Sequence, residues 1–448
     1  MRFPPGPDTP PLLQMVRWLH NPFRVLDRCH AQFGDIFSLR AAGVGFVLVV
    51  VSDPELVKEV FALGSDDAHA GKANAVLKPF LGKYSVLLLD GAEHLRQRKM
   101  MLPAFHGERM HAYGRSMIGL THDSIDRWPL GRPFPVHGPM QAVTLQVIIR
   151  TVFGIEAGPR FRELADVLTQ AIHTGAWAPL LLPFMQRDWG RHSPWGRFLR
   201  LGTRANEILR GEVRRGRERG TAGRSDVLAM MLEARDDAGQ PLSEEEIVDE
   251  LVTLLTAGHE TTATALAWAL RWILPDRALL ARLRDEIATA QGDPQRIAQL
   301  ELLAATVKET LRLQPVIPLV ARVLQTPMKL ADYELPTGAV VAPAVYLVNR
   351  RAPLYPQPTR FRPDRFLTFK PSPWEWIPFG GGLRRCIGAA FAVYEMKMVL
   401  ASILPRVDAR LATENVRVAR RGITITPSNG LPIIVTARRA RDEPAKAA

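Results

Sequence analysis

Cysteine is scarce in this chain, which has only Cys29 and Cys386 among 448 residues. One possible pair cannot build a disulfide framework, so small disulfide-stapled secreted proteins are excluded and a reducing cytoplasm is the natural location. Long apolar runs are also missing. None reaches ~20 residues without a charge, and no signal-peptide pattern is visible. We therefore expect no transmembrane anchor.

Acidic residues are outnumbered, with 45 Asp and Glu against 58 Lys and Arg, which gives a formal charge of +13. A basic balance can indicate nucleic-acid binding. The arginines are spread along the chain, however, and no zinc-finger, helix-turn-helix or aromatic-basic pattern accompanies the local concentrations at 210–224 and 438–441. We expect no nucleic-acid partner. Solvated helical faces explain these runs, and the alternative is a basic surface that attracts an acidic electron-transfer protein.

No internal repeat and no long linker divides the chain. Its composition, 47% hydrophobic and 23% charged, is that of an ordered globular protein. We predict a monomer with a single large domain over residues 1–448, a Pro-rich N-terminal segment at 1–11 and a frayed tail at 437–448. Residues 413–436 are predicted to close the chain as a β-hairpin that turns at 427–430.

A long helix is predicted to begin at Ser243, which forms a capping-box pattern with Glu246, and to end before Pro275. About 30 residues make a rod of roughly 45 Å, enough to cross the domain. Its middle, residues 257–262, reads Ala-Gly-His-Glu-Thr-Thr. Gly and Thr weaken a helix interior. This stretch is therefore either a kink or groove over a ligand, or a place where small residues pack against a neighbouring helix.

The chain is organised around residues 379–388, which read Phe-Gly-Gly-Gly-Leu-Arg-Arg-Cys-Ile-Gly. The glycines allow the backbone to curl around a sulfur, and the helical run that follows presents its positive end to Cys386. Nearby arginines also favour the thiolate. Small residues at 388–390 leave room for something flat. These are the requirements of a haem-thiolate site; the alternative is that Cys386 is a buried small hydrophobe.

Five of these residues resemble the haem-binding signature of the cytochrome P450 family in type and spacing: Phe379, Gly382, Arg384, Cys386 and Gly388. The resemblance implies that haem b is the cofactor and that Cys386 is the proximal iron ligand. It also implies that Phe379 packs near the sulfur and that Arg384 contacts a haem propionate.

Further matches imply roles elsewhere in the chain. Glu260 and Thr261 match the acid and threonine that deliver protons during oxygen activation in the family. Arg322 matches a propionate partner, as do His94 and Arg98, which lie four residues apart on one helix face. Taken alone, the last two would simply form an exposed basic face.

Three larger groups of residues match the family as well. The substrate pocket wall matches Ala257, Gly258, Val316, Ile317 and Val320. A buried network that supports the haem loop matches Glu309, Arg312 and Arg365. The lid over the pocket matches a helical region at 139–220 that carries Trp177, Phe184, Trp189, Trp195 and Phe198.

The resemblance implies a mainly α protein with smaller β-sheets, in which haem lies between the long central helix and the helix after the cysteine loop. It implies a monooxygenase that hydroxylates an unactivated C–H bond of a lipophilic molecule, with fatty acids or terpenoids favoured. Electrons would come from a ferredoxin or flavodoxin and its reductase. The alternatives are a peroxide-driven peroxygenase and a non-enzymatic haem sensor. The Glu260–Thr261 pair argues against both.

Overall fold

The computed structural model describes residues 3–441 apart from 41–46, 106–108, 155–157, 176–179, 181–184, 189 and 191–192. Most of the described chain is helical. The helices are α1 (Pro11–His20), α2 (Pro22–Phe33), α3 (Pro54–Ala62), α4 (Ala70–Ala73), α5 (Lys78–Leu81), α6 (Gly91–Met101), α7 (Arg109–Ile125), α8 (His137–Phe153), α9 (Pro159–Gly175), α10 (Pro194–Arg219), α11 (Val227–Glu233), α12 (Glu244–Ile273), α13 (Arg277–Thr289), α14 (Pro294–Gln299), α15 (Glu301–Leu313), α16 (Val345–Val348), α17 (Arg365–Thr368) and α18 (Ala389–Arg406).

The strands are short and form small sheets. They are β1 (Ile36–Arg40), β2 (Val47–Val51), β3 (Ala68–His69), β4 (Pro133–Pro135), β5 (Arg322–Leu324), β6 (Met328–Leu330), β7 (Tyr333–Leu335), β8 (Val340–Pro343), β9 (Val407–Leu411), β10 (Val418–Arg421), β11 (Thr424–Pro427) and β12 (Pro432–Arg438). The largest sheet has the order β1-β2-β8-β5-β3, with β2 and β8 parallel and the other neighbours antiparallel. The others are β4-β12-β9, β10-β11 and β6-β7. The predicted fold class, mainly α with smaller sheets, is confirmed.

Helix α12 runs through the core. The Ser243 hydroxyl accepts the Glu246 N–H at 3.2 Å, and the Glu246 carboxylate accepts the Ser243 N–H at 2.7 Å, so the predicted capping box forms. The helix is 30 residues long and packs on α8, α10, α15 and α18. Residues 262–270 are buried on every side. The helix continues without interruption through 257–262.

The Pro-rich start leads into a helix, α1, that the sequence pattern did not predict. Pro11 supplies the first helical residue with its φ already set. The Gln14 side chain anchors the helix, because it donates to the Pro7 and Thr9 carbonyls and accepts the Arg40 N–H at 2.9 Å. Apolar residues of this helix face outward, with Val16 52% exposed. Because the apolar residues of α1 do not form a buried face, their spacing in the sequence gave no signal for this helix.

The closing hairpin turns elsewhere than predicted. β10 pairs antiparallel with β11, so the turn lies at Gly422 and Ile423. Gly422 has a φ of +56°, in the left-handed region that favours glycine in tight hairpins. The predicted turn at 427–430 is wrong. That stretch connects β11 to β12, and β12 pairs with β9 and β4.

The C-terminal segment, predicted to fray from residue 437, keeps regular contacts as far as Arg441. Arg438 pairs with Val407 in the sheet. The Arg439 guanidinium bonds both Asp408 carboxylate oxygens at 3.1 Å, and Arg441 bonds Asp123 at 2.7 Å. Residues 442–448 lie outside the described part of the chain. Within that part, no helix is long and apolar enough to cross a membrane.

Candidate functional site

The loop that carries Cys386 is shaped by its glycines. Gly382 has a φ of +61°, and a Cβ there would lie 2.1 Å from the Phe61 carbonyl oxygen. Only glycine therefore fits between this loop and α3. The Cys386 N–H donates to the Phe379 carbonyl at 2.9 Å, which closes the loop. Gly388 is the N-cap of α18, and a Cβ on it would meet open space.

The Cys386 thiol is open to solvent and yet crowded by protein, as a group at the floor of a recess is. Burial raises its pKa, while the Gly388 N–H and the charges of Arg98 and Arg385 act in the opposite direction. Among the described residues, no three His, Cys, Asp or Glu side chains lie together in a metal-binding group.

The middle of α12 carries small residues that are open to solvent. Ala257 is exposed and Gly258 and Thr261 are half-buried, whereas His259, Glu260 and residues 262–270 are buried. The Thr261 hydroxyl donates to the Ala257 carbonyl at 2.6 Å. Ala390, near the start of α18, is exposed as well. Because α12 packs on α18, these small exposed residues leave room for a flat group between the two helices.

Basic side chains converge beside the cysteine loop. His94, Arg322 and Arg384 line one small cavity. Burial, followed by the charges of Arg384 and Arg98, lowers the pKa of His94 to about 3. Burial and the charge of Arg384 also lower the pKa of Arg322 to about 10. The positive charges in this cluster disfavour one another, and a neighbouring anion would stabilise them. The cluster therefore fits the carboxylates of haem.

Arg322 and Arg384, both predicted to contact propionates, are also held by the protein. Arg384 pairs with Asp90 and donates to the Leu89 and Val86 carbonyls. Arg322 donates to the carbonyls of Val60 and Gly381. The Arg98 side chain, in contrast, has no hydrogen bond or ion pair with any described residue, although burial lowers its pKa. It is the arginine of this cluster that is most available to an anionic ligand.

Glu260 contacts a polar group that the sequence did not reveal. Its Oε2 atom accepts a hydrogen bond from the Gln141 amide. Its Oε1 atom lies 3.7 Å from His137 Nε2 and 3.9 Å from Arg421 Nε. Burial raises the pKa of Glu260, and Arg421 and Gln141 act against that rise. No local signal joins residues this far apart in the chain.

Glu309, Arg312 and Arg365 lie together, as the resemblance implied. Arg312 bonds both Glu309 oxygens, at 2.6 and 2.9 Å, and Arg365 bonds Glu309 at 3.1 Å. The Glu309 and Arg312 side chains are completely buried. Arg312 also donates to the Asn349 and Pro358 carbonyls, at 2.8 and 2.9 Å. The network therefore ties α15 to the segment that leads into the cysteine loop.

The predicted pocket residues differ in their surroundings. Val316 is buried, and Ile317 and Val320 are half-buried. A Cβ on Gly258 would lie 3.1 Å from Ile148, so this glycine allows α8 to approach α12. Its place in the pocket wall stays a prediction.

The predicted lid is described only in part. Trp195 and Phe198 pack with Phe80 in a small apolar cluster. Trp177, Phe184 and Trp189 lie outside the described residues.

Two further acids of α12 hold the loop that leads into α6. Asp249 accepts the Tyr84 N–H at 2.9 Å. Glu250, fully buried, accepts the Val86 N–H at 2.6 Å and the Gln97 amide at 2.8 Å. Burial raises the pKa of Glu250 to about 8. In the sequence these residues look like the solvated acidic face at the start of a helix.

A mainly helical fold with an exposed cysteine directly before a helix, and with Arg98, Arg322 and Arg384 near its loop, fits a haem-thiolate protein. The chain belongs to the cytochrome P450 family, whose model, described as Cytochrome P450, matches residues 4–430. The protein named cytochrome P450 135B1 of Mycobacterium tuberculosis is 39% identical, over 98% of this chain and 92% of that protein. Cytochrome P450 138 of Mycobacterium bovis is 34% identical, over 98% of this chain and 97% of that one.

Solved structures share the fold. Retinoic acid-bound cyanobacterial CYP120A1 has a TM-score of 0.85 at 24% identity, with 98% of this chain and 100% of that chain covered. The heme domain of cytochrome P450DA has a TM-score of 0.83 at 24% identity, with 98% of both chains covered. Haem is thus the cofactor, and the protein is a haem-thiolate monooxygenase.

Proposed function

We propose that this protein hydroxylates an unactivated C–H bond of a lipophilic small molecule, a fatty acid or a terpenoid, with electrons from a ferredoxin or flavodoxin and its reductase. The observation that carries the proposal is that Ala257 is exposed and Thr261 half-buried in the middle of α12, directly before a stretch, residues 262–270, that is buried on every side. An apolar methyl beside a hydroxyl suits a site where a lipophilic substrate meets a proton donor. This pair favours oxygen-dependent turnover over peroxide-driven chemistry and over a sensor role.

Each site residue has a proposed task. Cys386 ligates the iron, and Phe379 and Gly388 shape the space around the sulfur. Arg98 binds a haem carboxylate directly, and His94, Arg322 and Arg384 complete a positive surround for both carboxylates. When bound, haem supplies the activation of dioxygen, which thiolate donation favours.

Protons reach the distal side through Glu260 and Thr261. Glu260 is buried, and burial raises its pKa, which favours its protonated form. The Thr261 hydroxyl donates a hydrogen bond to the Ala257 carbonyl. Its oxygen can therefore accept a hydrogen bond from a water molecule. A water held in this way lies where the reaction needs its proton.

The substrate class is inferred from apolar residues near the cysteine loop, and the redox partner is inferred from the net charge of the chain. Ile317 and Val320 are half-buried apolar residues between α15 and β5, beside the loop that holds Cys386. They support an apolar pocket wall. The +13 charge favours association with an acidic electron carrier. We further propose a monomer in the cytoplasm, where a reducing environment keeps the Cys386 thiol available for iron.

The test is a binding screen followed by turnover. The purified haem protein is titrated with fatty acids, terpenes and retinoic acid, and a shift in the haem absorption band reports binding. Ligands that bind are then assayed with a surrogate ferredoxin or flavodoxin system and, separately, with hydrogen peroxide. Hydroxylated product with the electron-transfer system supports the proposal. Product with peroxide alone would establish the peroxygenase alternative, and ligand binding without product from either system would establish the sensor.

A further inference from the structure

Glu260 is enclosed by residues from three elements. Thr264 lies one turn further along α12, His137 and Gln141 come from α8, and Arg421 comes from β10. Among the described residues, the titratable or charged side chains within 4 Å of its carboxylate are His137 and Arg421. Its Oε1 atom is buried and accepts no hydrogen bond from the described residues. A buried carboxylate oxygen that accepts no hydrogen bond and faces an imidazole can accept a proton from that ring.

The hydrogen bonds of His137 fix which of its nitrogens carries the proton. Arg421 Nη1 lies 3.3 Å from His137 Nδ1. A guanidinium can only donate, so Nδ1 accepts and the neutral ring carries its proton on Nε2. That N–H faces Thr264 Oγ1 at 3.2 Å and Glu260 Oε1 at 3.7 Å. The proton of the ring thus points toward the carboxylate, and its lone pair points toward Arg421.

Arg421 connects this buried group to solvent. The His137 and Glu260 side chains are 3% and 8% exposed, whereas that of Arg421 is 29% exposed. The arginine therefore covers the only nitrogen of His137 that can take up a proton while Nε2 keeps its own.

We propose that His137 is a proton-relay residue that acts through Glu260, with Arg421 as its gate. A proton from solvent binds Nδ1 and the Nε2 proton passes to Glu260 Oε1, so the ring is neutral before and after the transfer. The ring then carries its proton on Nδ1. It is reset when Arg421 swings outward and entering water donates a proton to Nε2 and takes the proton from Nδ1, so that each cycle moves one proton from solvent to Glu260. Glu260 can pass its own proton toward Thr261. This inference rests on the proposed function, because the relay serves the proton demand of oxygen activation.

The first measurement follows the Glu260 carboxyl group itself. Infrared difference spectra of the full-length haem protein are recorded across pH, and the C=O band of protonated Glu260 is identified by its loss in Glu260→Gln. In His137→Phe the carboxylate loses the N–H that faces it, so the midpoint of this band should rise by about one pH unit. His122→Phe is the matched control, because His122 Nδ1 also faces an arginine, Arg406 Nη1 at 3.2 Å, away from Glu260. An unchanged midpoint in His137→Phe, or an equal shift in the control, would overturn the inference.

The second measurement separates relay from positioning. Gln at position 137 keeps an N–H donor but cannot exchange one proton for another. In His137→Gln the infrared midpoint should return to within about 0.3 pH units of the wild type, while the fraction of reductant converted to product stays several-fold low and peroxide release stays high. If Gln restores product formation as well, His137 only positions Glu260 and the relay is refuted. The infrared midpoints are measured without substrate, so they test the contact between His137 and Glu260 even if the proposed substrate class is wrong, whereas the product and peroxide yields are measured with a substrate that turns over.

Discussion

Glu250 makes the stability of this protein depend on pH in an unusual direction. Burial raises its pKa from the ordinary 4.5 to about 8, so the folded chain keeps a proton that the unfolded chain has released. Stability is therefore greatest below pH 4.5 with respect to this group and falls as the pH rises toward 8. Each pH unit in that range costs about 1.4 kcal/mol. Between pH 5 and 8 the loss is about 4 kcal/mol.

Glu250→Gln removes this dependence without removing the contacts. The acceptor atom Oε1 serves both the Val86 N–H and the Gln97 amide, and a Gln carbonyl can take its place. Its NH₂ would replace Oε2, which has no partner in the described chain. We expect equal melting temperatures at pH 5. At pH 8 the variant should melt about 4 °C higher, since a chain of this length unfolds with an entropy of about 0.9 kcal/mol per kelvin.

The assay is the melting temperature of the haem-loaded protein by circular dichroism, at one scan rate, from pH 5 to 8.5. Glu55→Gln is the control, because the Glu55 side chain is 72% exposed and its substitution should leave the pH profile of the wild type in place. If the difference in melting temperature between wild type and Glu250→Gln stays constant across pH, Glu250 is already ionised at pH 5. That result would refute the assignment of a proton to this site.

Four other predictions follow from the site. Cys386→His should abolish the red-shifted Soret band of the ferrous carbon monoxide complex, and survival of that band would rule out Cys386 as the ligand. Thr261→Ala should still fold and bind haem but release more hydrogen peroxide per reductant oxidised, and unchanged coupling would assign Thr261 to packing alone. Glu309→Gln should lower the free energy of unfolding by about 3–5 kcal/mol, while Asp364→Asn, which breaks the exposed pair with Arg282, should cost at most about 1 kcal/mol; equal losses would contradict the role of the buried network. Reduction by an acidic ferredoxin should slow as salt rises, because charges farther apart than ~8–10 Å are screened at physiological ionic strength, and a rate indifferent to salt would remove electrostatic steering.

The local parts of the site could be predicted from the sequence. The capping box at Ser243 and the glycine loop before Cys386 are written within a few neighbouring residues, and their hydrogen bonds form between those same residues. The conformations they need are set by residue type, which makes them visible in the chain itself.

The partners of the charged residues could not be predicted in this way. Arg384 pairs with Asp90, and Glu260 faces His137 and Arg421. These contacts depend on how elements that are far apart in the chain pack together. The sequence around Arg384 and Glu260 does not indicate which partners they meet. Glu250 was missed for a related reason: acids at a helix start indicate solvent and the helix dipole, and only the loop at 84–86 turns that face inward.

The pairing of Glu260 with Arg421 also orders events during synthesis. About 160 residues separate the two, and at roughly 5–20 residues per second a ribosome needs about 8–32 s to make them. During that interval α12 can pack against α8, which already exists, but β10 and β11 do not. The carbonyl of Ile425 that receives the Trp268 indole N–H at 2.9 Å is missing as well. In the nascent chain, one side of α12 therefore lacks its partners until the last tenth of the protein has been made. β10 and β11 then pack over that side.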